Sequence, residues 1–126
     1  MSRQLTETFM AALQSAEQSG DVSPLVELYA DASSSRNLTD RVWQGKGGAQ
    51  EFWTTYLHNF ETIRSEFSNA VGDEGTGVME WTSRGQLRGG RDIEYRGVSV
   101  IESENDRVTA FRTYYDSAAF ITPGEG

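Results

Sequence analysis

The stretch that decides the fold covers residues 91–116 and reads RDIEYRGVSVIESENDRVTAFRTYYD. It predicts two long β-strands, at about residues 92–102 and 107–115, because β-branched and aromatic residues suit a pleated, partly buried surface. The turn is expected at residues 103–106, where asparagine and aspartate accept unusual backbone conformations. Neither face of this hairpin is purely polar, so both faces are expected to be covered at least in part.

Upstream of the hairpin, the chain predicts helices. Residues 4–19 carry apolar side chains on one helical face. A short second helix is expected from Ser23, as N-cap, to about residue 30. A third helix is expected after residues 45–48, with an aromatic face that recurs at helical spacing as far as Ile63. Its breadth predicts that this face packs against a sheet.

The remaining segments predict a loop and further strands. Residues 33–35 are expected in a loop, residues 41–44 in a short strand, and residues 76–87 in a long strand. Helices followed by meandering strands are typical of an α+β domain, with helices on one face of an antiparallel sheet. A curved sheet folded over a long aromatic helix would leave a cavity at its open end.

Length and composition limit the classes of function. The 126 residues predict one domain over residues 1–126, with a core at about residues 5–121 and a loose tail at 122–126. The net charge of −8 argues against nucleic acid as a partner. No apolar run is long enough to span a membrane, and the start MSRQLTET does not resemble a signal peptide, so a cytoplasmic protein is expected.

Glu80 is the first candidate for chemistry, because it interrupts an apolar strand. If Val78 and Glu80 face the helices, the carboxylate lies in a low-dielectric pocket, where desolvation raises its pKa toward the range useful for acid–base catalysis. If Met79 and Trp81 face the core instead, Glu80 faces solvent or a partner subunit. The spacing leaves both orientations open.

Two further titratable residues have alternative interpretations. Asp116 follows the last strand and fits either an acid at the pocket rim or a cap for the next turn. His58, the only histidine, falls beside the apolar stripe of the third helix, which allows simple partial burial or catalysis. Without cysteine or a second histidine, a metal site would need carboxylates alone, and no such cluster is visible. No metal is therefore expected.

Four motifs in this order resemble the SnoaL-like branch of the nuclear transport factor 2 superfamily. They are GKGGAQEFW at residues 45–53, EWTSRG at 80–85, RGV at 96–98 and RTYYD at 112–116. The resemblance implies an α+β cone, with a curved mixed sheet wrapped around three N-terminal helices and a deep apolar pocket, commonly in a homodimer. The superfamily includes ketosteroid isomerases, polyketide cyclases and limonene-epoxide hydrolase, in which a pocket carboxylate moves protons without metal or cofactor.

When the functional residues of the family are transferred to the matching positions of this sequence, only some of them are present. Glu80 falls at one aspartate of the Asp–Arg–Asp set of limonene-epoxide hydrolase, whereas Val78 replaces the arginine and Thr113 the second aspartate. Thr113 cannot take a proton at neutral pH, which argues against epoxide hydrolysis by that set. The residues expected to line the pocket are Trp43, Phe52, Tyr56, Val78, Tyr95, Phe111, Tyr115 and Asp116.

Two functions follow from this resemblance. The first is a cofactor-free acid–base enzyme, of isomerase, cyclase or hydratase type, for a small apolar, polyketide-like or steroid-like substrate. Glu80 would be its base, with Thr113 and His58 among its hydrogen-bonding partners. The second is a non-catalytic module for ligand binding or dimerisation. Both predict a homodimer formed through the sheet face and no membrane or nucleic-acid partner.

Overall fold

The order of helices and strands predicted from the sequence is largely confirmed. The structure is a computed structural model that describes residues 2–121; the tail predicted at residues 122–126 lies outside the described part. Its elements, in chain order, are α1 (Ser2–Ser19), α2 (Ser23–Val26), β1 (Tyr29–Arg36), β2 (Val42–Gln44), α3 (Gly45–His58), β3 (Phe60–Gly72), β4 (Thr76–Leu87), β5 (Asp92–Glu104), β6 (Arg107–Tyr115) and a 3₁₀ helix (Ser117–Phe120).

The six strands form one mixed sheet in the order β2-β1-β6-β5-β4-β3. The β1–β6 pair is parallel and the other neighbours are antiparallel. The pairing register shifts twice along β3, and again between β5 and β6. Such bulges bend a strand and increase its twist. Helix α1 packs on β3 and α3 on β1, so the helices lie inside the curved sheet and the predicted α+β cone is confirmed.

The hairpin of β5 and β6 turns more tightly than predicted. β5 extends to Glu104, so the turn consists of Asn105 and Asp106, with φ of 52° and 60°. Two consecutive residues in the left-handed region of φ and ψ form a two-residue hairpin turn, and the twist of this turn matches the twist of the strands that it joins. Among residues other than glycine, asparagine and aspartate tolerate this backbone conformation best. On the face turned to the helices, Tyr95 and Ile101 are buried, as alternation predicts.

Three local predictions were wrong. Residues 33–35, expected in a loop, belong to β1 between β2 and β6. Phe60 and Ile63, expected on the third helix, begin β3, because α3 ends at His58 and the next residues pair with β4. The second helix stops at Val26, and its N-cap is Val22 rather than Ser23. In the first two cases strand pairing outweighs the local pattern.

Apolar side chains form two buried clusters inside the cone. The helix-side cluster joins α1, α2 and α3 to β4, β5 and β6, and includes Phe9, Trp53 and Phe111. The strand-end cluster consists of Phe60, Ile63, Trp81, Ile93 and Tyr95, with Tyr115 and Phe120 packed against it. Within residues 2–121, every helix is too short or too polar to cross a membrane.

Candidate functional site

A cavity of about 360 Å³ lies between the two clusters. Its walls combine aromatic rings with uncharged polar groups, and none of the described lining residues is acidic, basic or histidine. The lining residues are Leu13, Asn37, Trp43, Phe52, Trp53, Thr55, Tyr56, Asn59, Phe60, Ser65, Trp81, Ser83, Tyr95, Ser99, Phe111, Thr113, Tyr115, Ser117 and Phe120.

Aromatic packing fixes the walls of the cavity. The Phe52 ring meets Trp43 and Trp53 edge to face, each with centroids 5.0 Å apart. The Trp53 indole N–H donates to the buried Tyr29 hydroxyl at 3.0 Å. Burial raises the pKa of Tyr29 to about 12, so its phenol stays neutral. Buried edge-to-face contacts of this kind hold the rings in one arrangement.

One polar group of the wall is placed by a glycine. Trp81 and Gly97 are direct partners across β4 and β5, and a Cβ at Gly97 would lie 2.4 Å from the Trp81 ring. Because Gly97 has no side chain, the indole can lie over this residue of β5 and donate its N–H to Ser99 Oγ at 2.9 Å. Ser99 Oγ also lies 2.9 Å from Thr113 Oγ1.

The hydroxyl hydrogens of Ser99 and Thr113 determine which hydrogen-bonding group this pair presents to the cavity. Each hydroxyl has one hydrogen, and Ser99 already accepts the Trp81 N–H. Only one of the two hydroxyl hydrogens is needed for the bond between Ser99 and Thr113. The other makes no further hydrogen bond among the described residues. The pair therefore offers one O–H donor at the cavity wall.

On another side of the cavity, hydroxyl groups converge on Glu17. Its Oε2 accepts hydrogen bonds from the Tyr56 hydroxyl at 2.7 Å and from Ser65 Oγ at 2.6 Å, while Oε1 accepts the Ser65 backbone N–H at 2.8 Å. Ser65 Oγ lies 2.6 Å from Ser83 Oγ. The Tyr95 hydroxyl adjoins Tyr56 and Ser83. Tyr56, Ser65, Ser83 and Tyr95 line the cavity, and the half-buried Glu17 lies behind them.

Burial keeps the cavity phenols protonated. Desolvation raises the pKa of Tyr56 well above its ordinary value of 10.0, and it raises the pKa of Tyr95 and Tyr115 in the same direction. The nearby Glu17 carboxylate adds to the effect at Tyr56 and Tyr95, because two negative charges repel. These groups are neutral hydrogen-bonding side chains across the physiological pH range.

Most of the predicted site residues lie at this cavity. Thr113, predicted as a hydrogen-bonding partner, faces it from β6, and the others that line it are Trp43, Phe52, Tyr56, Tyr95, Phe111 and Tyr115. A catalytic role for Thr113 stays a prediction.

The placement of Glu80 in the pocket was wrong. Met79 and Trp81 are buried on the inner face of β4, so alternation puts Glu80 on the outer face, where it is exposed. Its Oε1 accepts from Asn69 Nδ2 at 2.9 Å. Burial of the large Trp81 indole decides which face of β4 turns inward. The observed orientation is the alternative in which Met79 and Trp81 face the core.

Three other predicted residues also lie away from the cavity. Val78 is on the outer face of β4, opposite Val100. His58 is exposed in the last turn of α3, and its carbonyl accepts from Arg88 Nε at 2.7 Å. Asp116 Oδ1 accepts the Ala118 backbone N–H at 3.1 Å, so this residue caps the 3₁₀ helix. Of the two interpretations of Asp116, the one as a cap for the next turn agrees with its position in the structure.

Sequence reasoning missed the Glu17 group. A signal for Glu17 was present, because it follows Phe9 and Leu13 at intervals of four, which places it on the buried face of α1. Ser65 and Ser83 lie on the inner faces of β3 and β4 and are buried. Serines in a strand pattern carry no apolar signal, so only the pairing of β3 with β4 brings them together.

Comparisons with known proteins agree with this architecture. A family model described as the SnoaL-like domain matches residues 7–111. No curated protein matches the chain.

Solved structures resemble the chain at low sequence identity. An NTF2-like protein from Anabaena variabilis has 17% identity and a TM-score of 0.83, covering 92% of this chain and 90% of its own. A protein of ketosteroid isomerase-like fold from Catenulispora acidiphila has 12% identity and a TM-score of 0.78, covering 88% and 87%. An LEH-like epoxide hydrolase from M. tuberculosis has 17% identity and a TM-score of 0.72, covering 92% and 83%. These likenesses concern the fold.

Proposed function

Because this chain belongs to the SnoaL-like domain family, we propose that it binds a small, neutral, mostly apolar molecule in the cavity between its two aromatic clusters. The observation that carries this proposal is the lining, which combines aromatic rings with uncharged polar groups. Apolar walls with a few placed polar groups are typical of small-molecule sites. A cavity of about 150 Å³ holds benzene, so one of about 360 Å³ suits a compound of two or three fused rings.

Binding without catalysis fits the site better than the acid–base enzyme with Glu80 as its base. A general base must come within hydrogen-bonding reach of the proton that it removes. Glu80 lies on the opposite face of the sheet, and no described lining residue carries a carboxylate. The second sequence-based hypothesis, a ligand-binding module, therefore needs fewer assumptions about the described residues.

A comparison of neutral and anionic ligands tests this proposal. We expect 2-naphthol to bind at micromolar concentrations in isothermal titration calorimetry at pH 7, and 2-naphthoate to bind at least about 100-fold more weakly. The reason is that an ionised carboxylate loses its hydration in the cavity and finds no cationic partner there. Equal affinity for both compounds, or no binding of either, would contradict the proposed neutral site.

The outer face of the sheet supports a second proposal, that two copies of the chain pair there. Val98 and Tyr114 lie opposite each other on β5 and β6, and they are 36% and 50% exposed. Charged groups surround them on the same face, namely Glu80 opposite Val98 on β4 and Arg112, which binds Glu102. An apolar centre with a charged rim is typical of a protein–protein interface.

Light scattering tests the pairing of copies. We expect the native chain to have the mass of a dimer and Tyr114→Glu that of a monomer, because the new carboxylate would be buried at the centre of the interface. Val71→Glu is the matched control, since Val71 is 67% exposed on β3, away from the β5–β6 pair. A monomeric native chain, or a dimeric Tyr114→Glu variant, would refute the interface.

A further inference from the structure

The hydroxyl groups beside Glu17 have hydrogen-bond directions that the carboxylate dictates. A carboxylate only accepts, so Tyr56 and Ser65 must each donate their hydroxyl hydrogen to Glu17 Oε2. Ser65 then has no hydrogen left for Ser83, so in the 2.6 Å bond between them Ser83 is the donor. Every hydrogen in this chain of groups points toward Glu17.

The same count determines what Tyr56 presents to the cavity. Its hydrogen is donated to Glu17, so the Tyr56 oxygen offers only lone pairs to a ligand. Tyr56 is half-buried and lines the cavity, so this acceptor is shielded from bulk water.

From these directions we propose that Glu17 sets the ligand preference of the cavity, selecting a neutral ring compound whose hydroxyl group donates to the Tyr56 oxygen. This inference rests on the proposed ligand binding. The Ser99–Thr113 pair supplies the complementary O–H donor, so a hydrogen-bond acceptor such as a carbonyl on the same compound is also recognised. Glu17 acts through Tyr56, Ser65 and Ser83, and is a positioning residue.

The preference has a physical reason in the cost of unpaired groups. A buried acceptor that loses hydration and gains no donor weakens binding, so a methyl ether in place of the hydroxyl should bind poorly. Desolvation raises the pKa of Tyr56, so its phenol keeps the hydrogen that it donates to Glu17 across the physiological range.

The substitution Glu17→Gln should reverse these directions. The Ser65 backbone N–H can only donate, so the glutamine oxygen must occupy the place of Oε1. Its amide group then occupies the place of Oε2 and donates to Tyr56 and Ser65. The Tyr56 hydrogen is released toward the cavity and the Ser65 hydrogen toward Ser83, so the cavity wall changes from acceptor to donor at nearly constant shape.

The experiment compares 2-naphthol with 2-methoxynaphthalene by isothermal titration calorimetry. For the native chain we expect about tenfold or greater preference for the naphthol, in keeping with one buried hydrogen bond. In Glu17→Gln the preference should fall to about twofold or invert. Glu7→Gln, which alters an exposed carboxylate on the same helix paired with Arg3, should leave the preference unchanged.

The outcomes separate this inference from the proposed function. If the native chain binds both compounds equally, or if Glu17→Gln keeps the full preference, the inference is refuted while ligand binding stands. A purely structural Glu17 would weaken both compounds together and leave their ratio intact, which also refutes the inference. If neither compound binds the native chain, the proposed function itself fails.

Discussion

Phe111→Ala is expected to lower the free energy of unfolding by about 3–5 kcal/mol, the usual cost of removing a buried phenylalanine ring. Phe111 is 2% exposed and belongs to the helix-side cluster. Its ring lies 5.4 Å from Phe9, 5.7 Å from Phe52 and 5.0 Å from Trp53, measured between centroids. Removing it leaves a cavity where β6 packs against α1 and α3, and the lost ring contacts add to the cost of that cavity.

Urea denaturation followed by circular dichroism measures this loss. The matched control is Val71→Ala, an apolar truncation on β3 whose side chain is 67% exposed and lies away from the proposed interface. That control should change the stability of the monomer by less than about 0.5 kcal/mol. Equal losses for the two variants would mean that Phe111 is not at the centre of the core.

Thr113→Trp is expected to abolish ligand binding, with a loss of affinity for 2-naphthol of more than about 100-fold. Thr113 is half-buried and lines the cavity, so a large ring at this position takes the volume that a ligand would fill. The cavity has room for the new side chain, so the fold should persist, as a normal circular dichroism spectrum and cooperative melting would verify.

Tyr114→Trp is the control for this blocking substitution. It introduces the same residue one position further along β6, on the opposite face of the sheet. Calorimetry should give native affinity for this variant. Undiminished binding by a folded Thr113→Trp protein would place the ligand elsewhere and contradict the assignment of the cavity.

The hairpin of β5 and β6 was predictable because its signals are local. Period-two alternation and the turn signal at residues 103–106 depend on neighbouring residues only; the structure confirms the alternation and narrows the turn to Asn105 and Asp106. The end of α3 was not predictable in the same way. Phe60 and Ile63 continue a helical spacing in sequence, but in the structure they belong to β3 and pair with β4, which is distant in sequence.

The residues of the candidate site also divide into those with a local signal in the sequence and those brought together only by the fold. Periodicity predicted that Phe52 lies on the buried face of the third helix, and the family resemblance added residues such as Tyr95 to the expected lining of the pocket. Glu80 attracted attention because a carboxylate in an apolar strand stands out, yet the neighbouring Trp81 determines which face is buried. Glu17 was overlooked because its partners, Ser65 and Ser83, become neighbours only when β3 pairs with β4.

The most direct test of the account is a nuclear magnetic resonance titration of nitrogen-labelled protein with 2-naphthol, read at the tryptophan indole N–H signals. All 3 tryptophans of the chain, Trp43, Trp53 and Trp81, line the cavity. A ligand in the cavity should shift all of these signals together and saturably, while the backbone amides of Val98 and Tyr114 on the outer face stay in place. Indole signals that do not move, or shifts confined to the outer face, would contradict binding in this cavity.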